Sequence, residues 1–436
     1  MPFPFSAFQL PRSASIALLA TVLCGVLPRA YAATQEELEA RVQSLAEQLH
    51  VVQVELATLK QQRGSTTPTP EVSSTPAVAA ATPDAGSGGP TWFGYGELNY
   101  TRPSDNTAQT TADVARFVVG AGYRFDERTR FVSELEVEHS VSSADDPGEV
   151  EVEQAYLERA FSGGISGRAG LLLIPSGLLN ENHEPTRYYG VFRNFVETSI
   201  IPTTWREGGI AAQGNTANGL RWDVGLTTGF DLAKWDASSE GEGQESPLGS
   251  IHQELALAHA RDLSGFAAVN YTGQPGLRLG ASLFSGGASQ GQLGLPSANV
   301  TLWEGHARWT PAGWDVAALY ARGSISGTRQ INTTLVGNPV LVPKEFFGWY
   351  VQTAYRAMDN GSSSLVPFLR YERFNTASDY ADIGLGLTPA ALPDRKAWTG
   401  GLNWTLAPGV VVKADYVDFQ NSPVGDRFDL GIGYQF

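Results

Sequence analysis

The sequence predicts an all-β fold, a closed antiparallel transmembrane β-barrel of about 16 strands preceded by a short coiled-coil helix and a disordered linker. Three observations predict it. From residue 91 onward, apolar residues alternate with polar or small ones; the alternating segments are long; and short turns alternate with mostly longer loops. Each segment runs for about ten residues, the length that a tilted strand needs to cross a membrane. The chain ends on such a segment, "FDLGIGYQF" (428–436).

The composition agrees with a membrane barrel and argues against several functions. Charged residues make up 17% of the 436 residues, below the roughly one quarter usual in soluble proteins. The formal charge of −15 argues against nucleic acid as a partner. Cys24 is the only cysteine and lies in a segment that we expect to be removed, so the mature chain offers no disulfide and no cysteine ligand for a metal.

Residues 1–32 are predicted to be a cleaved signal peptide. Arg12 precedes the apolar run 16–28, and Ala30-Tyr31-Ala32 supplies a cleavage site. A lipoprotein signal is the alternative, but it requires a small residue before Cys24, where the chain has Leu23. Cleavage removes two arginines and no acid, so the charge becomes −17.

Residues 33–62 are predicted to form a coiled-coil helix and residues 63–90 a linker. Apolar residues in the first segment are spaced alternately by four and three: Leu38, Val42, Leu45, Leu49, Val52, Leu56 and Leu59. An amphipathic helix docked on its own barrel is the alternative. The second segment is rich in proline, threonine, alanine and glycine and has little to bury.

The segment 91–436 is predicted to be the barrel domain, and the alternation places sixteen strands in it. They are expected near 92–100, 113–125, 129–139, 149–161, 165–175, 205–214, 218–230, 263–272, 276–285, 299–310, 314–323, 345–357, 364–374, 396–406, 410–420 and 426–436. An even number of strands places both termini on the short-turn side, which is periplasmic in outer-membrane barrels.

Aromatic residues cluster beside the short turns, as in the girdle of a membrane interface. They are Trp92, Phe125, Phe161, Tyr271, Trp309, Trp314, Tyr355, Trp404, Tyr434 and Phe436. We expect the last strand to pair with the first, and its Tyr434 and Phe436 to be the signal for the outer-membrane assembly machinery of Gram-negative bacteria. A secreted β-sandwich or lectin is the alternative, but it would have shorter strands and more surface lysine and glutamate.

The third long loop is the predicted pore constriction. It is too long and too rich in apolar anchors to extend into solvent, so we expect it to fold into the lumen; an exposed cap or a latch between subunits is the alternative. The candidate constriction residues are Glu181, His183, Glu184, Arg187, Tyr188, Tyr189, Arg193, Asn194 and Arg206.

A glutamate-rich hairpin, 133–156, is the second candidate feature. If Glu138 pairs with Glu149, its glutamates share one face, and this face must be the lumen because charges are costly in lipid. The predicted lumen-wall residues are these glutamates with arginines to balance them: Arg116, Arg124, Glu134, Glu136, Glu138, Glu149, Glu151, Glu153 and Arg168. They either form a buried network that fixes the loop or contact the solute, and the two roles are compatible.

Several stretches resemble the phosphate-selective porin O and P family. They are "FGYGELNY" (93–100), "RFVSELEVEHS" (130–140), "GEVEVEQAYLE" (148–158) and "NENHEPTRYYGVFRN" with "IIPTTWREGG" (180–209). The N-terminal coil is similar to that of trimeric porins of this broad group linked to dicarboxylate uptake. The resemblance implies a 16-stranded homotrimeric channel with an inward third loop. One departure is that the mature barrel has only four scattered lysines (Lys234, Lys344, Lys396, Lys413), which puts phosphate itself in doubt.

We therefore expect an outer-membrane porin, a passive diffusion channel for small hydrophilic solutes, with small organic or inorganic anions favoured by the arginines and tyrosines of the third loop. A general or sugar- or zwitterion-selective porin is one alternative, and a structural tether that binds peptidoglycan through the coil is another. No enzyme activity, cofactor or metal is expected, since only His252 and His259 are close in sequence and their spacing is not that of metal ligands.

Overall fold

The structure is a computed structural model that describes residues 89–143, 146–239, 241–292, 294–384, 386–420 and 425–436. The predicted signal peptide, the predicted coiled coil and nearly all of the predicted linker lie outside the described residues. The described residues lie almost entirely within the predicted barrel domain, 91–436.

Sixteen long antiparallel strands form one sheet. They are β1 (Thr91–Pro103), β2 (Thr111–Arg124), β3 (Thr129–Glu138), β4 (Val150–Ala160), β5 (Ile165–Leu173), β6 (Arg206–Asn215), β7 (Leu220–Thr227), β8 (Ser264–Tyr271), β9 (Leu277–Gly287), β10 (Asn299–Trp309), β11 (Trp314–Ile325), β12 (Glu345–Tyr355), β13 (Ser364–Asp379), β14 (Arg395–Ala407), β15 (Val410–Phe419) and β16 (Arg427–Gln435). A two-residue strand, Met358–Asp359, only extends the hairpin between β12 and β13.

The sheet closes on itself because β16 pairs with β1. Tyr95 lies opposite Gln435 at one end of this pairing, and Pro103 lies opposite Arg427 at the other. The backbone groups of Gly94 and Phe436 exchange two hydrogen bonds, of 2.9 and 3.1 Å, beyond the last ladder pair. The predicted closed antiparallel barrel of 16 strands is thus confirmed. Closure matters because an open edge in lipid would leave backbone groups without partners.

The connections are short on one side of the barrel and mostly long on the other. The short turns are 125–128, 161–164, 216–219, 272–276, 310–313, 356–363 and 408–409. The other side carries the loops 104–110, 139–149, 174–205, 228–263, 288–298, 326–344, 380–394 and 420–426. In the tightest turn, Gly409 has φ of 79°, the left-handed conformation that glycine adopts without strain.

In the described part of the chain the helices are brief and lie in the connections. Two of these described helices are α-helices, α1 (Glu242–Glu245) and α2 (Thr328–Thr334). The others are the 3₁₀ turns Thr107–Gln109, Ser162–Gly164, Leu232–Lys234 and Gly249–Ile251, and the π-helical turn Val196–Ile200. Among the described residues, no helix has the length and hydropathy needed to span a membrane.

The two faces of the barrel wall differ as the alternation predicts. On β3, Leu135 points outward and is 47% exposed, while its neighbours Glu134 and Glu136 point inward and are buried. The same holds on β13, where Leu369 is exposed and Arg370 is buried. Aromatic rings at the short-turn end are also exposed, among them Trp92, Phe125, Phe161, Trp309, Trp314, Trp404 and Phe436. The outer surface therefore has an apolar band and an aromatic girdle, as a lipid-facing wall requires.

Candidate pore constriction

The third loop, residues 174–205 between β5 and β6, folds into the barrel. Apolar side chains hold its C-terminal part against β9, β12 and the loop 228–263. Trp205 is fully buried and its ring centroid lies 4.5 Å from that of Phe284 and 5.4 Å from that of Phe230. The π-helical turn packs on β12, where Gly348 permits the close approach, since a Cβ there would lie 3.0 Å from Ile200 Cγ1.

Glu197 joins two parts of this loop to each other and to the wall. Its Oε2 accepts hydrogen bonds from the backbone N–H groups of Leu178 and Leu179, each at 2.7 Å. Its Oε1 accepts one from the Tyr350 hydroxyl on β12 at 2.8 Å. Burial raises the pKa of Glu197, although these donors partly oppose the shift.

Tyr188 fixes the middle of the loop on the opposite wall. Its hydroxyl donates to Glu97 on β1 at 2.7 Å, and Glu97 is also paired with Arg116 on β2 at 2.7 Å. The Tyr188 carbonyl accepts a hydrogen bond from the Asn403 amide on β14 at 3.0 Å. The Lys413 ammonium group lies over the Tyr188 ring, 3.6 Å from its centroid. The loop therefore crosses the lumen and contacts both sides of it.

The next residue, Tyr189, faces β11 and β13. Its hydroxyl donates to Asp315 at 3.0 Å, and its carbonyl accepts from Arg370 at 3.1 Å. Burial, followed by the Asp315 charge, raises the pKa of Tyr189 above its ordinary value, so the phenol stays protonated. Arg370 also bonds to Glu372, which accepts the backbone N–H of Phe195.

Glu181 of the third loop contacts a cluster of charged residues on β5 and β7. Its carboxylate is 3.0 Å from the Arg221 guanidinium and 4.0 Å from that of Arg168, and both arginines also contact Asp223. Burial alone would raise the pKa of Glu181, but Arg221 and then Arg168 outweigh it, so the pKa lies below the ordinary value. Glu181 is thus held as a carboxylate by the wall.

The glutamate hairpin pairs in the register considered above, because the Glu138 N–H donates to the Glu149 carbonyl at 2.9 Å. Glu134, Glu136 and Glu153 point inward and are almost fully buried, while Glu149 is exposed. Glu151 pairs with Arg206, which is itself buried and also contacts Glu254 at 2.6 Å. His183 of the third loop contacts Glu153, and Glu254 of the fourth loop shares Arg206 with Glu151.

Three adjoining spaces lie around the tip of the third loop. Two of them, of about 370 and 400 Å³, lie between the tip of the third loop and the short turns. A narrow one of about 20 Å³ lies between the loop and the wall formed by β10 to β13. All three are lined by Arg187 and Arg308, so these two arginines stand at the point where the spaces meet.

The lining of these spaces is positively charged. Its charged residues are five arginines and one aspartate: Arg187, Arg278, Arg308, Arg356, Arg370 and Asp315. Three of these arginines are paired with a carboxylate, because Arg308 contacts Asp315, Arg370 contacts Glu372 and Arg356 contacts Asp359. Arg187 is the most accessible cation of the narrow part, with a side chain 39% exposed and its closest carboxylate, Glu184, 4.0 Å away.

The predicted constriction residues fall into two groups. Arg187, Tyr188, Tyr189 and Asn194 line the narrow space. The others are engaged elsewhere. Glu181 pairs with Arg221, His183 contacts Glu153, Glu184 contacts Gln435, Arg193 donates to Thr203 and Thr204, and Arg206 pairs with Glu151.

The predicted lumen-wall arginines also differ from one another. Arg116 is buried and bonded to Glu97, whereas Arg168 bonds to Asp223. Arg124, near the short-turn end of β2, is partly buried, and no hydrogen-bond acceptor lies near its Nε. None of the three lines the spaces described above.

Sequence reasoning missed Arg278, Arg308, Arg356 and Arg370. The sequence pattern could have identified two of them, because Arg308 and Arg370 occupy inward-facing positions of predicted strands. The predicted arginines lie near the glutamate hairpin and in the loop, whereas the spaces described above lie against β10 to β13 and the short turns beside them. The folded path of the third loop decides which part of the barrel wall stays open. The alternation of apolar and polar residues along the strands does not predict that path.

Comparison with known proteins gives one sequence relative. No protein-family model matches the chain. A protein of Aquifex aeolicus (strain VF5), described only as an uncharacterized protein, is 32% identical over 355 residues, which is 79% of this chain and 79% of that protein.

Solved structures share the fold. Salmonella typhi OmpF, in complex with daunomycin, superposes with a TM-score of 0.56 at 14% identity and covers 80% of this chain and 97% of its own. A loop L8 deletion mutant of OmpT, an outer membrane protein of Vibrio cholerae, has a TM-score of 0.50 at 12% identity over 80% of this chain and 99% of its own. At these identities the likeness establishes the 16-strand porin barrel as the fold.

Proposed function

We propose that this chain, which belongs to the same family as the Aquifex aeolicus protein and folds as a 16-strand porin barrel, is a passive diffusion channel for small anions in the Gram-negative outer membrane. The observation that carries the proposal is the lining of the space beside the third loop, where five arginines face one aspartate. The apolar outer band and aromatic girdle support the membrane location.

Charge at a narrow point decides which ions pass. A solute that crosses the constriction exchanges part of its hydration shell for fixed groups, and in a low-dielectric wall those groups act with little screening. Charges at the wide mouths act less, because salt screens them beyond about 8–10 Å. The net acidity of the chain is therefore compatible with anion selectivity at the constriction.

The chemistry of the lining favours organic anions. Guanidinium groups offer paired donors that match carboxylate and phosphate oxygens. Tyr189 and Tyr350 place aromatic surface beside them, which suits the carbon part of a small organic acid better than a bare inorganic ion. Kinship with the phosphate-selective porin O and P group remains part of this proposal; it is supported by the inward third loop and qualified by the scarcity of lysine.

We also propose a homotrimer embedded in outer-membrane lipid, inserted by the outer-membrane assembly machinery, with the N-terminal coil as an accessory that is able to reach peptidoglycan. Porin barrels of this kind leave a long apolar outer wall, and association of three walls removes part of it from lipid. The ligand of the channel in this proposal is a small-molecule solute.

Reversal potentials in planar bilayers under a salt gradient test the selectivity. We expect the wild-type channel to prefer anions and Arg187→Ala and Arg308→Ala to shift the reversal potential towards cation selectivity. The shift should be larger for Arg308→Ala, because that change also releases the Asp315 carboxylate. Arg206→Ala should shift it less, since Arg206 is buried between two glutamates.

Arg159→Ala is the matched control. Arg159 lies near the short-turn end of β4, its side chain is 55% exposed, and it follows the inward Glu158 on the outward face. The Arg159→Ala substitution removes one positive charge, as the other variants do, but outside the lumen. The reversal potential should therefore not change. An unshifted Arg187→Ala channel would contradict the anion pathway and favour a sugar or zwitterion porin. A barrel without measurable conductance would favour the structural tether.

A further inference from the structure

Three ligating side chains meet where the third loop touches β3 and β4. Glu134, Glu153 and His183 are 3%, 0% and 3% exposed, and one ligand atom from each lies within 4.8 Å of the others. Around a zinc ion with metal–ligand distances of about 2.0–2.2 Å, neighbouring ligand atoms lie roughly 3–4 Å apart. Small side-chain rotations would therefore bring all three groups onto one ion.

The hydrogen bonds of His183 leave one nitrogen free to act as a ligand. Its Nδ1 lies 2.9 Å from the Asn180 carbonyl oxygen, which only accepts, so Nδ1 carries the hydrogen. Nε2 then presents a lone pair to the cluster. A histidine that donates its second N–H to a backbone carbonyl has the arrangement usual for metal-bound imidazoles.

The remaining protein groups do not satisfy the lone pairs that meet here. The Tyr95 hydroxyl is 2.8 Å from His183 Nε2 and 2.7 Å from Glu153 Oε2, but its single hydrogen serves only one of them. Glu153 Oε1, 3.4 Å from the same Nε2, has no hydrogen-bond partner. A buried carboxylate oxygen without a partner is costly, so a proton or a cation is needed at this point.

The charge of the cluster also calls for a cation. The carboxylates of Glu134 and Glu153 each place an oxygen within 4.8 Å of the other and of the His183 nitrogen, and the nearby Glu136 is also buried. The nearest guanidinium, Arg116, is already bonded to Glu97 and to the His183 carbonyl oxygen. Two or three carboxylates beside one imidazole make a donor set suited to a divalent transition metal.

We propose that Glu134, Glu153 and His183, with Glu136 beside them, bind one divalent transition-metal ion that fastens the third loop to β3 and β4. The ion would join a residue of the loop to residues of both strands of the hairpin, so its loss would release the loop on the side away from the arginines. The site does not depend on the solute that the channel conducts.

The test uses the purified full-length protein, freed of metal with a chelator and titrated with Zn²⁺. We expect one equivalent per chain, measured by elemental analysis after removal of free ion, and a higher unfolding temperature with zinc than without. Glu153→Gln and His183→Gln should each lose the stoichiometric zinc and the thermal shift. Heat-modifiable migration on gels checks that these variants fold.

His306→Gln is the matched control, because His306 is also a buried histidine beside a carboxylate. Its Nδ1 is 2.8 Å from Glu304 and its Nε2 is 3.1 Å from Asn270, so it has one carboxylate neighbour and not a cluster. This variant should bind zinc as the wild type does. Wild-type protein that takes up no zinc, or folded His183→Gln that still binds one equivalent, would overturn the proposal.

Discussion

At the scale of single residues, buried carboxylates accept the backbone hydrogen bonds of the third loop that a neighbouring strand would accept in a sheet. A loop inside a barrel has backbone N–H groups that need acceptors away from bulk water. Glu197 accepts from Leu178 and Leu179, Glu372 accepts from Phe195, and Asp415 accepts from Val191. Acidic side chains therefore hold the loop, and arginines line the space that it leaves.

Glu197→Ala should loosen the loop, because it leaves two backbone N–H groups and the Tyr350 hydroxyl without their acceptor. Each buried group left unpaired costs about 1–3 kcal/mol. We expect a lower unfolding temperature and noisier single-channel currents with frequent changes of conductance. Tyr350→Phe is the graded comparison, since it removes one donor and leaves the bonds from Leu178, Leu179 and Asn194. A quiet Glu197→Ala channel with unchanged stability would show that the apolar anchors alone fix the loop.

At the scale of elements, the strands were predictable and the path of the loop was not. A few residues of alternating sequence are enough to identify the two faces of a strand, and all sixteen predicted strands are present. The loop is fixed by partners far along the chain, such as Tyr350, which is 153 residues from Glu197. The register of β3 and β4 also contains a bulge at Glu134 and Leu135, so that Glu153 and Gln154 are both buried. Strict alternation would have placed only one of them inside.

The last strand has a role in assembly that differs from its role in the finished barrel. Deletion of Phe436 removes a ring that is 67% exposed and packs over Gly94, together with two backbone bonds at the seam. The other pairs of β1 and β16 remain, so the folded barrel should lose little stability. We expect the deletion to reduce strongly the amount of heat-modifiable barrel in the outer membrane, while Tyr355→Ala, at another girdle position, should not. Normal levels of the truncated protein would contradict an assembly role for the terminal aromatic residue.

At the scale of the whole molecule, the net charge of the chain is negative, whereas the lining of the space beside the third loop is rich in positive side chains. The chain has a formal charge of −15, yet the space beside the third loop is lined by arginines. Many of the acidic side chains bond to the third loop or lie in the buried glutamate hairpin. They therefore face other protein groups and not the solute. A net charge summed over the sequence therefore says little about the ions that a barrel conducts.

The proposed trimer has two candidate contact regions, the predicted coil and the outer wall of the barrel. Three heptads are marginal as an isolated coiled coil, whereas the barrel wall offers an apolar face along every strand. Deletion of residues 33–90 should therefore leave trimers and conductance, as measured by native mass and by single-channel recording. Deletion of 63–90 alone keeps the coil but removes the linker, and it should behave in the same way. If the longer deletion yields monomers and the shorter one yields trimers, the coil sets the oligomeric state and the contacts between barrel walls are secondary.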